Sequence, residues 1–182
     1  MKKNKLLIVV DMQNDFVTGS LANPAAEKII PNIVEKLKAK DYTYLIFTRD
    51  THQKNYLETQ EGKNLPVEHC IEGTKGWEIV PELQEFAKNA FIIDKPTFGY
   101  KDWKAKFDEL FNDENNQPGD FPEEIEIIGT VSSICVAANA TILKSIYPEM
   151  PISVDSSCCA DLSEEGQKST MNVLKSQQIF VK

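Results

Sequence analysis

Residues 127–140 read IIGTVSSICVAANA, an apolar strand that runs into a turn of small residues and then into a helix opened by Cys135. A thiol there faces the positive end of the helix dipole and several unpaired backbone N–H groups, which favour the thiolate. The same N–H groups can hold an oxyanion. A buried structural cysteine is the commoner fate of this residue type. A nucleophilic role therefore depends on what the rest of the chain supplies.

The composition indicates one soluble globular domain, 1–182, with 41% hydrophobic and 26% charged residues. The net charge is −8 without a basic cluster, so nucleic acid and membrane surfaces are poor partners. The N-terminal apolar run Leu6–Val10 is too short for a signal peptide or a membrane span. Four cysteines without a recognised secretion signal predict reduced thiols and a cytoplasmic location. Adjacent Cys158 and Cys159 are interpreted as small buried residues.

Apolar, β-rich runs alternate with helical patterns along the chain. Strands are predicted at 6–10, 42–48, 91–94, 125–128, 152–154 and 179–181. Helices are predicted at 25–40, 77–88, 102–111, 133–146 and 163–176. Residues 49–76 lack periodicity and are predicted to form a long loop, and the acidic segment 112–124 to form a solvated surface loop. The alternation predicts an α/β fold, a Rossmann-like three-layer α/β/α sandwich with a mostly parallel six-stranded sheet.

Reactive side chains follow four consecutive predicted strands. Asp11 follows the first strand, and Asp50 and His52 follow the second. Lys95 follows the third strand and Cys135 the fourth. Charged residues often end strands because they are solvated there, but in parallel sheets the functional site also lies beyond the carboxyl ends of the strands. We therefore expect these five side chains at one edge of the sheet.

These residues could support acyl transfer to a thiol. Asp11 can take the proton of Cys135 if burial raises its basicity toward neutral pH. Lys95 would hold the carboxylate and the thiolate together by its charge. Cys135 could then attack a carbonyl carbon, with backbone N–H groups at Ser132 and Cys135 as the oxyanion hole. Taken singly, Asp11 and Lys95 are better explained as solvated charges at strand ends.

The only two histidines of the chain belong to a possible metal site. Asp50 and His52 stand two residues apart, and His69 follows after the predicted loop. An Asp/His/His set with its remaining positions left to water suits Zn²⁺, Fe²⁺ or Mn²⁺. Such an ion can orient or polarise a substrate. Glu58 and Glu61 lie between the histidines and could supply a fourth ligand, although solvated loop carboxylates are the plainer interpretation.

Five segments together resemble a known family. They are VVDMQNDF (9–16), TRDTH (48–52), HCIEGT (69–74), KP (95–96) and GTVSSICV (129–136). In this order they resemble the isochorismatase-like cysteine hydrolases, and within that superfamily the nicotinamidases/pyrazinamidases. The resemblance extends over almost the whole chain and implies the isochorismatase-like hydrolase fold.

The resemblance implies a catalytic triad of Asp11, Lys95 and Cys135. It also implies a non-proline cis peptide before Ser132, which would aim backbone N–H groups at the oxyanion. The implied reaction is hydrolysis of a small carboxamide, with nicotinamide as the leading substrate. Cys135 would attack to form a thioester, and Asp11 would protonate the departing ammonia and activate the water that releases the acid.

The resemblance further implies a divalent metal ion, Zn, Fe or Mn, on Asp50, His52 and His69. It implies a small-molecule amide as the binding partner. It also implies a homodimer or homotetramer, because members of the superfamily commonly assemble in this way.

The chain departs from the family at the substrate pocket. Where nicotinamidases carry Trp-Pro-x-His-Cys, it reads LPVEHC (65–70), with leucine in place of tryptophan and one extra residue. An aromatic residue after the third strand could replace the missing ring. The predicted pocket residues are Phe16, Leu65, Phe98 and Tyr100, with Trp103 as a further candidate.

Two other functions stay open. One is hydrolysis of an N-carbamoyl or other small amide by the same triad. The other is a non-catalytic binding or redox-sensing protein, in which an accessible Cys135 would be oxidised. Asp11 and Lys95 disfavour a pure binder, which does not need that charge network. Cys135 disfavours vinyl-ether hydrolysis of the isochorismatase type, and the chain contains no His-Glu-x-x-His motif of a zinc protease.

Overall fold

A computed structural model describes residues 4–111 and 121–182. The strands are β1 (Lys5–Val10), β2 (Tyr44–Asp50), β3 (Phe91–Lys95), β4 (Glu124–Thr130), β5 (Ile152–Ala160) and β6 (Phe180–Val181). The helices are α1 (Asn14–Val17), α2 (Pro24–Ala39), α3 (Gln60–Asn64), α4 (Pro81–Ala87), α5 (Trp103–Phe111), α6 (Ala137–Ile146) and α7 (Glu164–Ser176). A 3₁₀ turn, Tyr56–Glu58, precedes α3, and a π-helical turn, Ser132–Val136, precedes α6.

The six strands form one sheet in the order β3-β2-β1-β4-β5-β6, and every strand pairing in it is parallel. Parallel crossovers are right-handed, so those that run from β1 toward β3 place α2 and α4 on one face. The crossovers that run the opposite way place α5, α6 and α7 on the other face. The predicted α/β/α sandwich is thereby confirmed.

The chain order reverses between the neighbouring strands β1 and β4. The apolar run of β1, Leu6–Val10, is fully buried, as expected for a strand covered on both faces. In open parallel sheets the crevice beyond the carboxyl ends of two such strands is the usual binding site. Asp11 follows β1, and the turn that carries Cys135 follows β4.

Local sequence signals set the ends of the longest helix. The Asn23 side chain accepts a hydrogen bond of 3.0 Å from the N–H of Ala25, and Pro24 occupies the first turn of α2. The helix buries Ile29, Ile33 and Leu37 on one face. It therefore covers the sheet at β5 and β4.

Several predicted boundaries were wrong. The predicted loop 49–76 contains the 3₁₀ turn and α3, and β2 extends to Asp50. The helix predicted at 77–88 begins only at Pro81, because Val80 is extended and proline favours the first helical turn. Strand β5 continues beyond 154 to Ala160, since the polar residues 155–157 interrupt its apolar pattern. Helix α1 was missed because it has only four residues.

Three further predictions concern the acidic surface loop, the burial of the adjacent cysteines and the presence of a membrane-spanning helix. Of the acidic segment predicted as a loop, 112–120 lies outside the described residues. Cys158 and Cys159 are buried free thiols, as predicted. No helix within 4–111 and 121–182 is long and apolar enough to cross a membrane.

Candidate active site

Polar side chains from four segments meet beyond the carboxyl ends of β1–β4. Asp11, Asp50, Lys95 and Cys135 are all buried. Nζ of Lys95 lies 2.6 Å from Oδ2 of Asp11 and 3.8 Å from Oδ1 of Asp50. The carboxylate of Asp11 also acts on the Cys135 thiol and raises its pKa. The structure thus brings the predicted triad together at one edge of the sheet, and Asp50 connects it to His52.

Asp11 lies between two donors in a fully buried position. The hydroxyl of Thr48 donates to Oδ1 at 2.6 Å, and Lys95 faces Oδ2. Burial raises the pKa of Asp11, and the charge of Lys95 only partly opposes this rise. For Lys95, burial would lower the pKa, but the negative charges of Asp11 and Asp50 outweigh burial and keep the pKa raised. Lys95 therefore stays protonated beside a carboxylate that is more basic than usual.

Cys135 rests as a thiol. Burial raises its pKa well above the usual value, Asp11 adds to the rise, and Lys95 opposes it. The expectation of a thiolate, based on the helix N-terminus, is therefore wrong in direction. The thiol is withdrawn from water and lies near the carboxylate of Asp11, and both effects disfavour its charged form.

The turn that carries Cys135 is anchored by a residue that the sequence analysis did not predict. Asp161 accepts hydrogen bonds from the N–H of Ser133 at 2.7 Å and from its hydroxyl at 3.1 Å. Asp161 directly follows β5, so the strand-end argument used for the other residues also points to it. The cis peptide joins Thr130 to Val131, one bond earlier than the resemblance implied. The N–H groups of Ser132 and Cys135 stay predicted oxyanion donors.

Asp50, His52 and His69 form a buried cluster that can hold a metal ion. Their ligand atoms lie within 4.8 Å of one another. Nδ1 of His69 contacts the carbonyl of Val67 at 2.8 Å, and its Nε2 lies 3.5 Å from Oδ2 of Asp50. Nε2 of His52 is 2.9 Å from the same oxygen yet lacks a hydrogen-bond partner among the described residues. Two imidazoles and one carboxylate with an unsatisfied buried nitrogen fit a divalent metal ion.

One of the two candidate fourth ligands lies at this cluster. Oε1 of Glu61, in α3, lies 3.6 Å from Nε2 of His52 and 3.8 Å from Nε2 of His69. Glu58 is exposed on the 3₁₀ turn and does not belong to the cluster. Burial opposes ionisation of Asp50, but the two neighbouring histidines and the charge of Lys95 hold its pKa below the usual range.

A mostly apolar cavity of about 320 Å³ opens above Cys135 and the metal cluster. Phe16, Leu65 and Phe98 line it, together with residues that were not predicted, namely Leu21, Ala22, Asn23, Val131, Ile134 and Leu162. Tyr100 is not among the residues that line this cavity, and its role in substrate binding stays a prediction. Its ring lies against Trp103 at 5.4 Å between centroids, and Trp103 is buried in the core. The aromatic rings of Tyr100 and Trp103 therefore pack against each other and against the hydrophobic core.

Comparison with known proteins identifies the family. A family model described as the isochorismatase domain matches residues 5–181. The chain belongs to the isochorismatase family. The resemblance seen in the sequence motifs is therefore confirmed.

Relatives within the isochorismatase family are nicotinamidases. The nicotinamidase of Saccharomyces cerevisiae is 28% identical over 172 residues, 75% of this chain and 79% of the relative. The nicotinamidase/pyrazinamidase of Mycobacterium tuberculosis is 28% identical over 148 residues, 75% and 76% of the two chains. The pyrazinamidase of Pyrococcus horikoshii, solved in complex with zinc, is 26% identical with a TM-score of 0.73 over 98% of both chains. The prediction of a hydrolase that acts on amide C–N bonds is confirmed at the family level.

In this isochorismatase-family chain, the side chain of Gln13 holds the backbone of Asp50, one of the three residues of the candidate metal site. Its Oε1 accepts the N–H of Asp50 at 2.7 Å, and its Nε2 donates to the carbonyls of Asp50 at 2.9 Å and Trp77 at 2.8 Å. The motif VVDMQNDF contains Gln13, but the sequence alone gave it no role. Its two-sided contact fixes the backbone from which the Asp50 carboxylate projects.

Proposed function

We propose that this protein is a cysteine-dependent amidohydrolase that cleaves a small carboxamide, with nicotinamide as the leading substrate. The observation that carries the proposal is the buried Lys95–Asp11 ion pair, at 2.6 Å, beyond the same sheet edge as Cys135, which lines the cavity. A nucleophile, a base and a cation that holds the base are the parts that acyl transfer needs. The relatives named above support nicotinamide as the substrate.

The first half of the reaction forms a thioester. Asp11 accepts the thiol proton while Sγ of Cys135 attacks the amide carbon, and the carbonyl oxygen becomes an oxyanion. The N–H groups of Ser132 and Cys135 stabilise that charge. Asp11 then donates its proton to the amide nitrogen, the C–N bond breaks and ammonia leaves. Lys95 keeps its proton throughout and holds Asp11 in place.

The second half releases the acid. Asp11, again a carboxylate, removes a proton from a water molecule whose oxygen attacks the thioester carbon. The tetrahedral intermediate collapses, the C–S bond breaks, and the sulfur regains the proton held by Asp11. The pKa of Asp11, raised by burial, suits a group that both accepts and donates a proton near neutral pH.

A divalent metal ion, Zn, Fe or Mn, would be held by Asp50, His52 and His69, with Glu61 as a fourth ligand. When bound, such an ion supplies a Lewis acid that can orient a substrate heteroatom. The zinc complex of the Pyrococcus horikoshii pyrazinamidase supports this assignment. Asp50 also faces Lys95, so the ligand cluster and the triad are held in one charge network.

Glu61→Gln is expected to weaken Zn²⁺ binding by about tenfold, because it removes one anionic donor from beside the two histidines. Competition with a chromogenic chelator measures the affinity directly, independent of activity. Glu58→Gln is the matched control, since Glu58 is exposed on the neighbouring turn, and its affinity should equal that of the wild type. Equal affinities for both variants would remove Glu61 from the ligand set.

Ammonia release from nicotinamide by the wild-type protein, with Zn²⁺ or Mn²⁺ supplied, tests the proposed function. We expect kcat/KM of at least about 10⁴ M⁻¹s⁻¹, the lower range for natural enzymes. An N-carbamoyl amino acid is the comparison substrate, because the same triad can cleave both. Turnover of the N-carbamoyl compound without turnover of nicotinamide would replace the leading substrate by the alternative.

The raised pKa of Cys135 argues against the redox-sensing alternative. Sensor thiols oxidise readily because they are partly ionised and accessible, whereas Cys135 is a buried thiol. A homodimer or homotetramer stays the prediction from the family resemblance, and a cytoplasmic location stays the prediction from the four cysteines. The net charge of −8 supports the absence of nucleic-acid and membrane partners.

A further inference from the structure

A buried asparagine links the helix behind the nucleophile to the wall of the cavity. Asn139, in the first turn of α6, has no exposed surface. Its Nδ2 donates to the carbonyls of Cys135 at 2.8 Å and Phe98 at 3.2 Å. Its Oδ1 accepts the N–H of Tyr100 at 2.9 Å and Nε1–H of Trp103 at 2.9 Å. A side-chain amide has two donor hydrogens and two acceptor lone pairs, so all four are used.

These bonds have a cost that an apolar residue would avoid. Asparagine is a weak helix former, and an amide loses its hydrogen bonds to water when it is buried. Simple packing of α6 would be served by an apolar residue. The four bonds instead join Cys135 to the connection between β3 and α5.

The same connection is held at its other end by a catalytic residue. Nζ of Lys95 donates to the carbonyl of Thr97 at 3.1 Å. Phe98, the next residue, lines the cavity with 48% of its surface exposed. An exposed ring is not held by packing alone, so the backbone bonds on either side of it decide where it lies. Lys95 supplies one of these bonds, and Asn139 supplies the bonds to Phe98 and Tyr100.

We propose that Asn139 is a positioning residue that fixes the Phe98 wall relative to Cys135 and thereby sets the affinity for the amide substrate. This inference rests on the proposed function. Asn139 does not touch the reacting atoms. It acts through Phe98, whose contact with the substrate is the same in the ground state and the transition state, so its loss raises KM more than it lowers kcat.

Two variants and one control distinguish the hydrogen bonds that Asn139 donates from those that it accepts. Asn139→Asp keeps the shape and the oxygen that accepts from Tyr100 and Trp103, but a carboxylate cannot donate to the carbonyls of Cys135 and Phe98. Asn139→Leu removes all four bonds. Thr141→Val is the matched control on the same helix, because it removes one side-chain hydrogen bond, to Gln177 at 2.8 Å, that involves no residue of the cavity wall.

For Asn139→Asp we expect the KM for nicotinamide to rise about tenfold while kcat changes by less than about threefold. Alkylation of Cys135 by iodoacetamide should change by less than about twofold, because Asp11 and Lys95, which act on the pKa of the thiol, are both kept. Thr141→Val should match the wild type in both assays. A lower thermal midpoint with an unchanged KM in Asn139→Asp would overturn the proposal, because the role would then be structural only.

Hydrogen exchange at the Tyr100 amide tests the attachment without any substrate. Asn139→Leu should accelerate this exchange at least about tenfold, because the acceptor is lost, whereas Asn139→Asp should keep the protection. If the wild type does not hydrolyse nicotinamide, the proposed function fails, and the exchange result alone decides whether Asn139 holds the segment. Unchanged Tyr100 exchange in Asn139→Leu overturns the inference in either case.

Discussion

Cys135→Ala is expected to lower kcat for amide hydrolysis by at least about 10⁴-fold, as for the loss of the nucleophile in a serine protease. Cys135 offers the only thiol or hydroxyl side chain among the described residues that line the cavity. A neighbouring side chain therefore cannot replace it as the attacking group. Initial rates of ammonia release from nicotinamide, with the metal content of both proteins matched, measure the effect.

Cys158→Ala is the matched control for this substitution. Cys158 is also a buried free thiol, but it lies in β5 and does not line the cavity. Both changes remove one buried sulfur atom, so a general loss of packing would affect both variants alike. We expect Cys158→Ala to keep the wild-type rate. Activity of Cys135→Ala within about tenfold of the wild type would exclude a covalent mechanism at this residue.

The triad could be predicted because strand ends carry positional information. Apolar runs mark the parallel strands, and the residue after each run must emerge at the same edge of the sheet. Asp11, Lys95 and Cys135 are therefore brought together by the topology. The motif resemblance assigned roles to the same five residues that strand order alone places at this edge, and it added His69 as a sixth.

Features that depend on burial could not be predicted from the pattern of apolar and polar residues in the sequence. The segment Gln60–Asn64 is polar throughout, so α3 and the approach of Glu61 to the histidines give no periodic signal. Tyr100 and Phe98 are both aromatic residues of one connection, but only contacts reveal that Phe98 faces the cavity. Asn139 looks like an ordinary polar helix residue, and its four bonds become visible only in three dimensions. The direction of the Cys135 pKa depends on burial in the same way.

Asp11→Asn is expected to lower the rate of amide hydrolysis by about 10³-fold while making the thiol of Cys135 easier to ionise. The carboxylate of Asp11 adds to the rise in the pKa of Cys135, and Lys95 opposes it. Removal of the carboxylate therefore lowers the thiol pKa, and alkylation by iodoacetamide should begin at lower pH than in the wild type. Turnover is lost nonetheless, because asparagine cannot carry the proton from the thiol to the departing ammonia.

Easier alkylation of Cys135 together with slower turnover would show that Asp11 is needed to transfer the proton and is not needed to ionise the thiol. If Asp11 only oriented the thiol, alkylation and turnover would fall together, and that result would contradict its assignment as general base and acid. Asp11→Asn also leaves Lys95 buried without its 2.6 Å partner, which costs roughly 3–5 kcal/mol of stability. The double variant Asp11→Asn/Lys95→Met removes both charges and should regain part of that stability in denaturant unfolding. It should remain inactive, because a restored fold without a proton carrier still cannot expel ammonia.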